Sequence, residues 1–303
     1  MKKFAEGVFQ SFAPEKKLLR SNEKGSSIFY SLLAHRWHFD TRESSKIIAI
    51  HDFCSSNAYW HQQLNGALAD LPLERLVPSK PLEVYCVDLR GHNFSSTVPV
   101  QSSNYALACA ADVVRFHEEV VVSPACVSGV GFGAMVGVCA ALNKPEAFTH
   151  AVFFVRSLAE LFEGHFEGSG LRSVLKDFPS DCPTLTEANT LLKSKVPNAN
   201  ERALLLSCCE TKKDRVRLRV NRELFDLPSA SVKSYLEDGC VFTNPTTVYL
   251  LSSETVADDE NAALFQKHFP NGTVKQLSSN QTDLFTHSLL GSCDLLQDLQ
   301  EQQ

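Results

Sequence analysis

Val127-Ser128-Gly129-Val130-Gly131-Phe132-Gly133-Ala134-Met135 decides the fold of this 303-residue chain. An apolar run enters it, three glycines alternate through it and a second apolar run leaves it, so it reads as a strand turning tightly into a buried helix. The G-x-X-x-G spacing is that of a strand-to-helix elbow that elsewhere holds a nucleophilic hydroxyl at a strained bend. Gly131, at the apex, has no hydroxyl to offer. The outer glycines, Gly129 and Gly133, keep the turn sterically possible. Gly129, Gly131 and Ala134 also fit the G-x-G-x-x-A dinucleotide fingerprint. That reading needs the turn on the first strand and an acidic residue about 20 positions on. Here strands precede the turn, and Arg156 follows the next one.

Working outward, Ile47-Ile48-Ala49-Ile50 is a buried-strand run ending at His51-Asp52-Phe53, and Leu82 to Val87 is a second, ending at Asp88-Leu89-Arg90-Gly91-His92. Between the second strand and the elbow, Tyr105 to Glu119 carries apolar residues at helical spacing. Ala151 to Val155, Thr247 to Leu251 and Thr273 to Leu277 supply three further strands. Alternating strands and helices imply parallel strands with right-handed crossovers.

These segments together resemble the alpha/beta hydrolase superfamily from about Ile47 to Leu299. His51-Asp52 stands where that family has His-Gly before its oxyanion loop, and Asp88 to His92 is similar to its D-x-R-x-H turn. Arg217-Leu218-Arg219-Val220-Asn221-Arg222-Glu223-Leu224 and Pro245 to Leu251 resemble the mitochondrial esterase-like branch that includes alpha/beta hydrolase domain-containing protein 11. The glycine elbow and His51-Asp52 resemble the non-catalytic N-myc downstream-regulated proteins. The resemblance implies an α/β architecture, the alpha/beta-hydrolase fold: a mostly parallel doubly wound sheet with a helical lid insertion. The core spans 41–156 and 240–303, the lid 157–239, and residues 1–40 form an N-terminal extension.

Hydrolysis in that family needs a nucleophile, a base and an orienting acid. The nucleophile is absent at Gly131. The resemblance places the base at Thr282, and threonine is no base near neutral pH; His287, five residues on, is a substitute only if the loop shifts. Glu254 or Asp258 occupies the acid position. Ser128 and Cys126 lie in the strand before the elbow and cannot reach the pocket, while Cys54, beside the oxyanion loop, reads as an inert loop cysteine. Losing a triad serine costs about a factor of 10⁶ in turnover. The oxyanion-hole amides need no serine, so His51, Asp52, Phe53 and Phe132 remain an anion-binding pocket in this reading.

The lid opens a helix at Thr184-x-x-Glu187, a capping box, and a second helix is expected over Ser231 to Glu237. Arg215-Val216-Arg217-Leu218-Arg219-Val220 alternates basic and apolar, so one face of an extended segment would present Arg215, Arg217 and Arg219 to RNA phosphates or an acidic protein. Overall the chain is mildly acidic, net −6, which excludes a protein built wholly around nucleic acid. Ten cysteines show no C-x-x-C or metal spacing, and Cys208-Cys209 read as helical; reduced thiols in an intracellular compartment follow. The uncharged stretch Val120 to Asn143 is long enough for a membrane but reads as strand, elbow and helix. At the N-terminus Phe4, Val8, Phe9 and Phe12 share a helical face beside Lys2, Lys3, Lys16, Lys17 and Arg20. That pattern fits either a mitochondrial targeting peptide or a partner-docking extension.

The sequence thus points to a catalytically inactive hydrolase-like protein, an accessory or structural subunit or assembly factor of a larger complex, with the mitochondrial matrix favoured over the cytoplasm. It is expected to hold no cofactor, no metal and no membrane span, and to act through protein partners. Two alternatives stand beside it: an acyl hydrolase with a non-standard nucleophile, and a sensor of small acyl anions.

Overall fold

The structure, a computed structural model, describes residues 2–10, 26–35, 43–70, 81–95, 104–163, 174, 176, 178, 182–207, 209–212, 215–227, 231–251 and 259–277. Strands β1 (Lys2–Gln10), β2 (Ser27–His35), β3 (Ser45–Ile50), β4 (Leu82–Val87), β5 (Ala125–Val130), β6 (Phe148–Val155), β9 (Thr246–Leu250) and β10 (Gly272–Gln276) form one eight-stranded sheet, in the order β1-β2-β4-β3-β5-β6-β9-β10. β2 runs antiparallel to β1 and β4. From β4 to β10 all neighbours are parallel. The numbers β7 (Cys209–Lys212) and β8 (Arg215–Leu218) belong to a separate antiparallel hairpin.

The parallel strands are buried on both faces, as crossover helices require. Helix α1 (Asn57–Asp70) covers one face, where Trp60 and Leu64 pack on Ile47, Ala49, Val84 and Cys86. Helices α2 (Tyr105–Phe116) and α3 (Phe132–Asn143) cover the other, against Ile48, Ile50, Val87 and Val127. Eleven of the twelve α3 residues are buried, and this explains why its text is apolar all round. Among the described residues no helix is long and apolar enough to cross a membrane.

The strands expected from the sequence stand within a few residues of where they were read. Differences are confined to weaker text. The segment with Phe4, Val8 and Phe9 is not a helix: Lys2–Gln10 is a strand paired along its length with Ser27–His35, so much of the 1–40 extension belongs to the sheet. Pairing with a neighbouring strand outweighs local helical periodicity there. Cys209 opens β7 instead of lying in a helix. The helix expected over Ser231–Glu237 is a single 3-10 turn, Lys233–Tyr235. The lid contributes α4 (Leu185–Lys193), α5 (Ala199–Ser207) and the β7-β8 hairpin. Thr184 Oγ1 caps α4 by accepting from the Glu187 amide at 3.2 Å. None of the eight described cysteines is in a disulfide, and no metal-ligating cluster occurs among the described residues.

Candidate functional site at the elbow

The elbow forms as its glycines demand. Gly131 sits between β5 and α3 at φ +53°, ψ −119°, a conformation costly for any residue with a Cβ. Its amide donates to Phe154 O at 2.9 Å, and its carbonyl accepts from the Ala134 amide at 3.0 Å. A Cβ on Gly129 would fall 2.2 Å from Gly133 O, and one on Gly133 would fall 2.5 Å from His51 O. Three chain segments therefore meet here at backbone contact distance.

The space at the apex is occupied. A Cβ added to Gly131 would lie 2.3 Å from Asp52 Oδ1 and 2.6 Å from Oδ2: the Asp52 carboxylate stands where a nucleophilic side chain would begin. Its Oδ1 accepts from the Phe132 amide at 2.7 Å and from the Phe53 amide at 2.8 Å. These are the amide after the apex and the amide of the loop after β3, the pair that would otherwise receive a developing oxyanion. Of the residues expected to form an anion-binding pocket, Asp52, Phe53 and Phe132 meet at the apex, and the chain's own carboxylate holds both donors. Burial pushes the Asp52 carboxyl up to about 6, with Glu160 reinforcing and the two amides and Arg156 opposing the rise.

His51 is turned away from this chemistry. Its Nδ1 donates to the Asp52 carbonyl at 2.6 Å and its Nε2 accepts from the Leu89 amide at 3.0 Å. Burial, helped by the neighbouring His92, lowers its pKa to about 3. Neutral His51 thus ties β3 to the end of β4 and is no base near neutral pH. His92 is likewise committed: its Nε2 accepts from the Cys54 amide at 3.1 Å, and burial lowers it to about 4. Cys54 is buried, as are Cys126 and Ser128 within β5.

Aromatic side chains fill the space above. The Phe53 ring centroid lies 5.3 Å from His92, 5.8 Å from Phe132 and 5.9 Å from Phe225, and Tyr105 stacks on Phe132 at 5.4 Å. Phe225 comes from the lid, on a 3-10 turn, Arg222–Asp226. That turn is fastened by the Asn221 amide donating to Gly91 O at 2.8 Å and by Arg222 donating to Phe178 O at 2.6 Å. Sequence reasoning missed Tyr105 and Phe225 because their role depends on where the lid lands. It named Asp52 as a pocket residue but not as the occupant; the signal was the acidic residue beside a glycine apex, where the resemblance has glycine beside serine.

The remaining site residues are dispersed. Arg215 and Arg217 are exposed on β8, whereas Arg219 is half-buried past the end of the strand. Arg219 donates to Asn93 Oδ1 at 2.8 Å and lies 4.6 Å over the Phe94 ring. The basic row expected on one face therefore has two members, the third being spent inside the molecule. Glu254, Asp258, Thr282 and His287 lie outside the described residues.

Comparison with known proteins fits this geometry. Residues 47–273 match the model of the Alpha/beta hydrolase family. No curated protein sequence matches the chain. Among solved structures, a marine microorganism esterase is similar with a TM-score of 0.67 at 15% identity, covering 87% of this chain and 98% of its own. The peroxisomal alpha-beta-hydrolase Lpx1 of Saccharomyces cerevisiae is similar with a TM-score of 0.67 at 12% identity, covering 97% and 88%. A thioesterase domain from the curacin biosynthetic pathway gives 0.58 at 17% identity, covering 95% and 99%. At such identities the likeness speaks for the fold alone.

Proposed function

Because the chain belongs to the alpha/beta hydrolase family, whose chemistry is performed at the elbow, we propose that it is a non-catalytic member that works by binding, as an accessory or structural subunit or an assembly factor of a larger complex. The observation that carries this reading is the Asp52 carboxylate at the apex, 2.3 Å from where a Gly131 Cβ would stand. Two requirements of acyl transfer by a serine or cysteine fail together there: Gly131 supplies no hydroxyl or thiol, and both oxyanion donors are already hydrogen-bonded. Among the described residues the two imidazoles beside the apex are no substitute base, since His51 and His92 are neutral and have both ring nitrogens engaged. The packed rings and the fastened lid turn leave shape as what the molecule presents to others. A mitochondrial matrix setting follows the branch resemblance of Arg217 to Leu224 and Pro245 to Leu251.

Purified protein is expected to show neither fluorophosphonate labelling nor saturable turnover of short-chain nitrophenyl esters, and native protein is expected to co-purify in a large particle. Heat-sensitive turnover sinks the non-catalytic reading. Migration as a free monomer from native extract sinks the subunit reading. If the particle contains RNA, loss of association on removing Arg215 and Arg217 tests whether those two exposed side chains contact phosphates.

A further inference from the structure

Asp52 and the lid turn meet through one residue, Phe53. The Asp52 carboxylate holds the Phe53 amide at 2.8 Å and the Phe132 amide at 2.7 Å, so it pins the loop after β3 to the first residue of α3. The pinned residue's ring is the surface on which Phe225 rests, 5.9 Å away with the planes at 84°. Phe225 is 3% exposed although it belongs to an insertion. Beside it Leu224 presses on the Asp88–His92 turn, within 2.9 Å of where a Gly91 Cβ would stand.

We propose that the Asp52 carboxylate is an internal ligand of the oxyanion amides that keys the lid shut, with the Phe53 ring as the part transmitting its position to Phe225. This rests on reading the elbow as non-catalytic and adds how that site is regulated: the lid's closure depends on a carboxylate bound where a reacting acyl oxygen would lie. If Asp52 leaves, the two amides lose the acceptor that they share, and the Phe53 peptide loses that tie to α3. An unpaired buried donor is costly enough to favour rearrangement of the loop. A loop that moves takes the Phe53 ring with it, and Phe225 loses the ring on which it rests.

The test is hydrogen exchange on the full-length protein in two variants of one position. Asp52→Asn retains an acceptor oxygen for both amides and is expected to leave exchange across 215–227 as in the native chain. Asp52→Ala removes the acceptor and is expected to speed that exchange by roughly tenfold, within the usual range of inter-site coupling. Unchanged lid exchange in Asp52→Ala overturns the proposal, as does equal opening in Asp52→Asn. Coupling is reciprocal, so Phe225→Ala must speed exchange of the Phe53 and Phe132 amides by a similar factor. Unaltered protection of those two amides overturns the proposal even if Asp52→Ala does not fold. Ester turnover and native co-purification are separate readouts, so failure of the latch and failure of the proposed function are distinguishable.

Discussion

The elbow and the Asp88–His92 turn stand at the carboxyl ends of β5 and β4, on either side of β3, and both bury charge-bearing side chains. At the elbow, one carboxylate fills a space meant for something else and is held by two backbone amides. At the turn, Arg90 is paired twice with Asp112, at 2.6 and 2.7 Å, and Ser26 donates to the same carboxylate at 2.9 Å. Asp88 accepts from the Asn57 amide at 2.7 Å, from the Asn57 side chain at 2.9 Å and from the Asn93 side chain at 2.7 Å. Tyr105 donates to the Arg90 carbonyl at 2.5 Å. The turn is thus a scaffold whose polar groups satisfy one another, whereas at the elbow a single carboxylate occupies the apex and is held only by backbone amides. The turn's network holds as a unit because its groups are buried and mutually dependent, whereas the elbow's carboxylate depends on two amides alone.

The largest effect should come from breaking the network. Arg90 and Asp112 are 1% and 3% exposed, so Asp112→Ala strands a buried guanidinium and is expected to cost about 3–5 kcal/mol, read by urea unfolding. A loss under about 1 kcal/mol would mean that the turn is no more essential than the elbow, and the contrast fails.

Placing a serine at the apex comes next. Gly131→Ser must fit a Cβ against Asp52 at a left-handed backbone position, with an expected cost of about 2–4 kcal/mol. Fluorophosphonate should still not label it. Pairing it with Asp52→Ala is expected to recover part of that cost, since residues in contact couple by about 0.5–3 kcal/mol. Simple additivity in the double mutant would show that Asp52 and Gly131 are independent.

Titration separates the two regions more finely. Burial raises Asp52 to about 6 and Asp88 to about 7, so each folded-state pKa lies above the unfolded one. The stability each contributes is greatest when it is protonated in both states, and it declines as pH rises from about 3.8 to 6 or 7. His51 and His92 act in the other direction: their contribution is complete above about 6.5 and is lost as pH falls toward 3 and 4. The stability difference between native protein and Asp52→Asn should therefore fall between pH 4 and 6 and level off above, while that for Asp88→Asn should keep falling to about pH 7. Urea titrations at half-unit steps check this; a flat difference for Asp52 across pH 4–6 would mean that its carboxyl is as well solvated as a surface one.

How much of this was legible in the sequence divides along the same line. The parallel strands were readable because double burial writes uninterrupted apolar runs, as at Ile47–Ile50 and Ala151–Val155. The elbow was readable from glycine spacing, since backbone contact at 2.2–2.5 Å admits no other residue. The N-terminal strands were not, because phenylalanines spaced along Lys2–Gln10 satisfy a helical face and an edge strand alike. Arg219 looked like a third member of a basic row until the strand ended at Leu218 and the side chain turned to Asn93. Nor does sequence show that Val122, exposed at the far end of the β5 approach, takes φ +61°, a conformation that β-branched residues rarely adopt. The filling of the apex by Asp52 needed the three-dimensional meeting of β3 and α3, eighty residues apart.

The smallest expected effect tests whether the turn's outer bonds matter as its inner ones do. Asn93 joins the turn to the insertion that packs over it: its amide donates to Asp88 Oδ2 at 2.7 Å, and its carbonyl accepts from Arg219 at 2.8 Å. It sits at φ +46°, where glycine is at ease, so Asn93→Gly removes the bridge without straining the backbone. Asp88 keeps its two bonds from Asn57, and Arg219 keeps its stacking on Phe94, so neither charge is abandoned. The cost should be about 1 kcal/mol, the scale of one net hydrogen bond. Because Asn93 is among the groups holding the Asp88 pKa down, its removal should also shift the Asp88 titration upward and leave the Asp52 window untouched. If the Asp52 window moves as well, the elbow and the turn are a single electrostatic unit, and the contrast between the self-satisfying turn and the amide-held carboxylate must be given up.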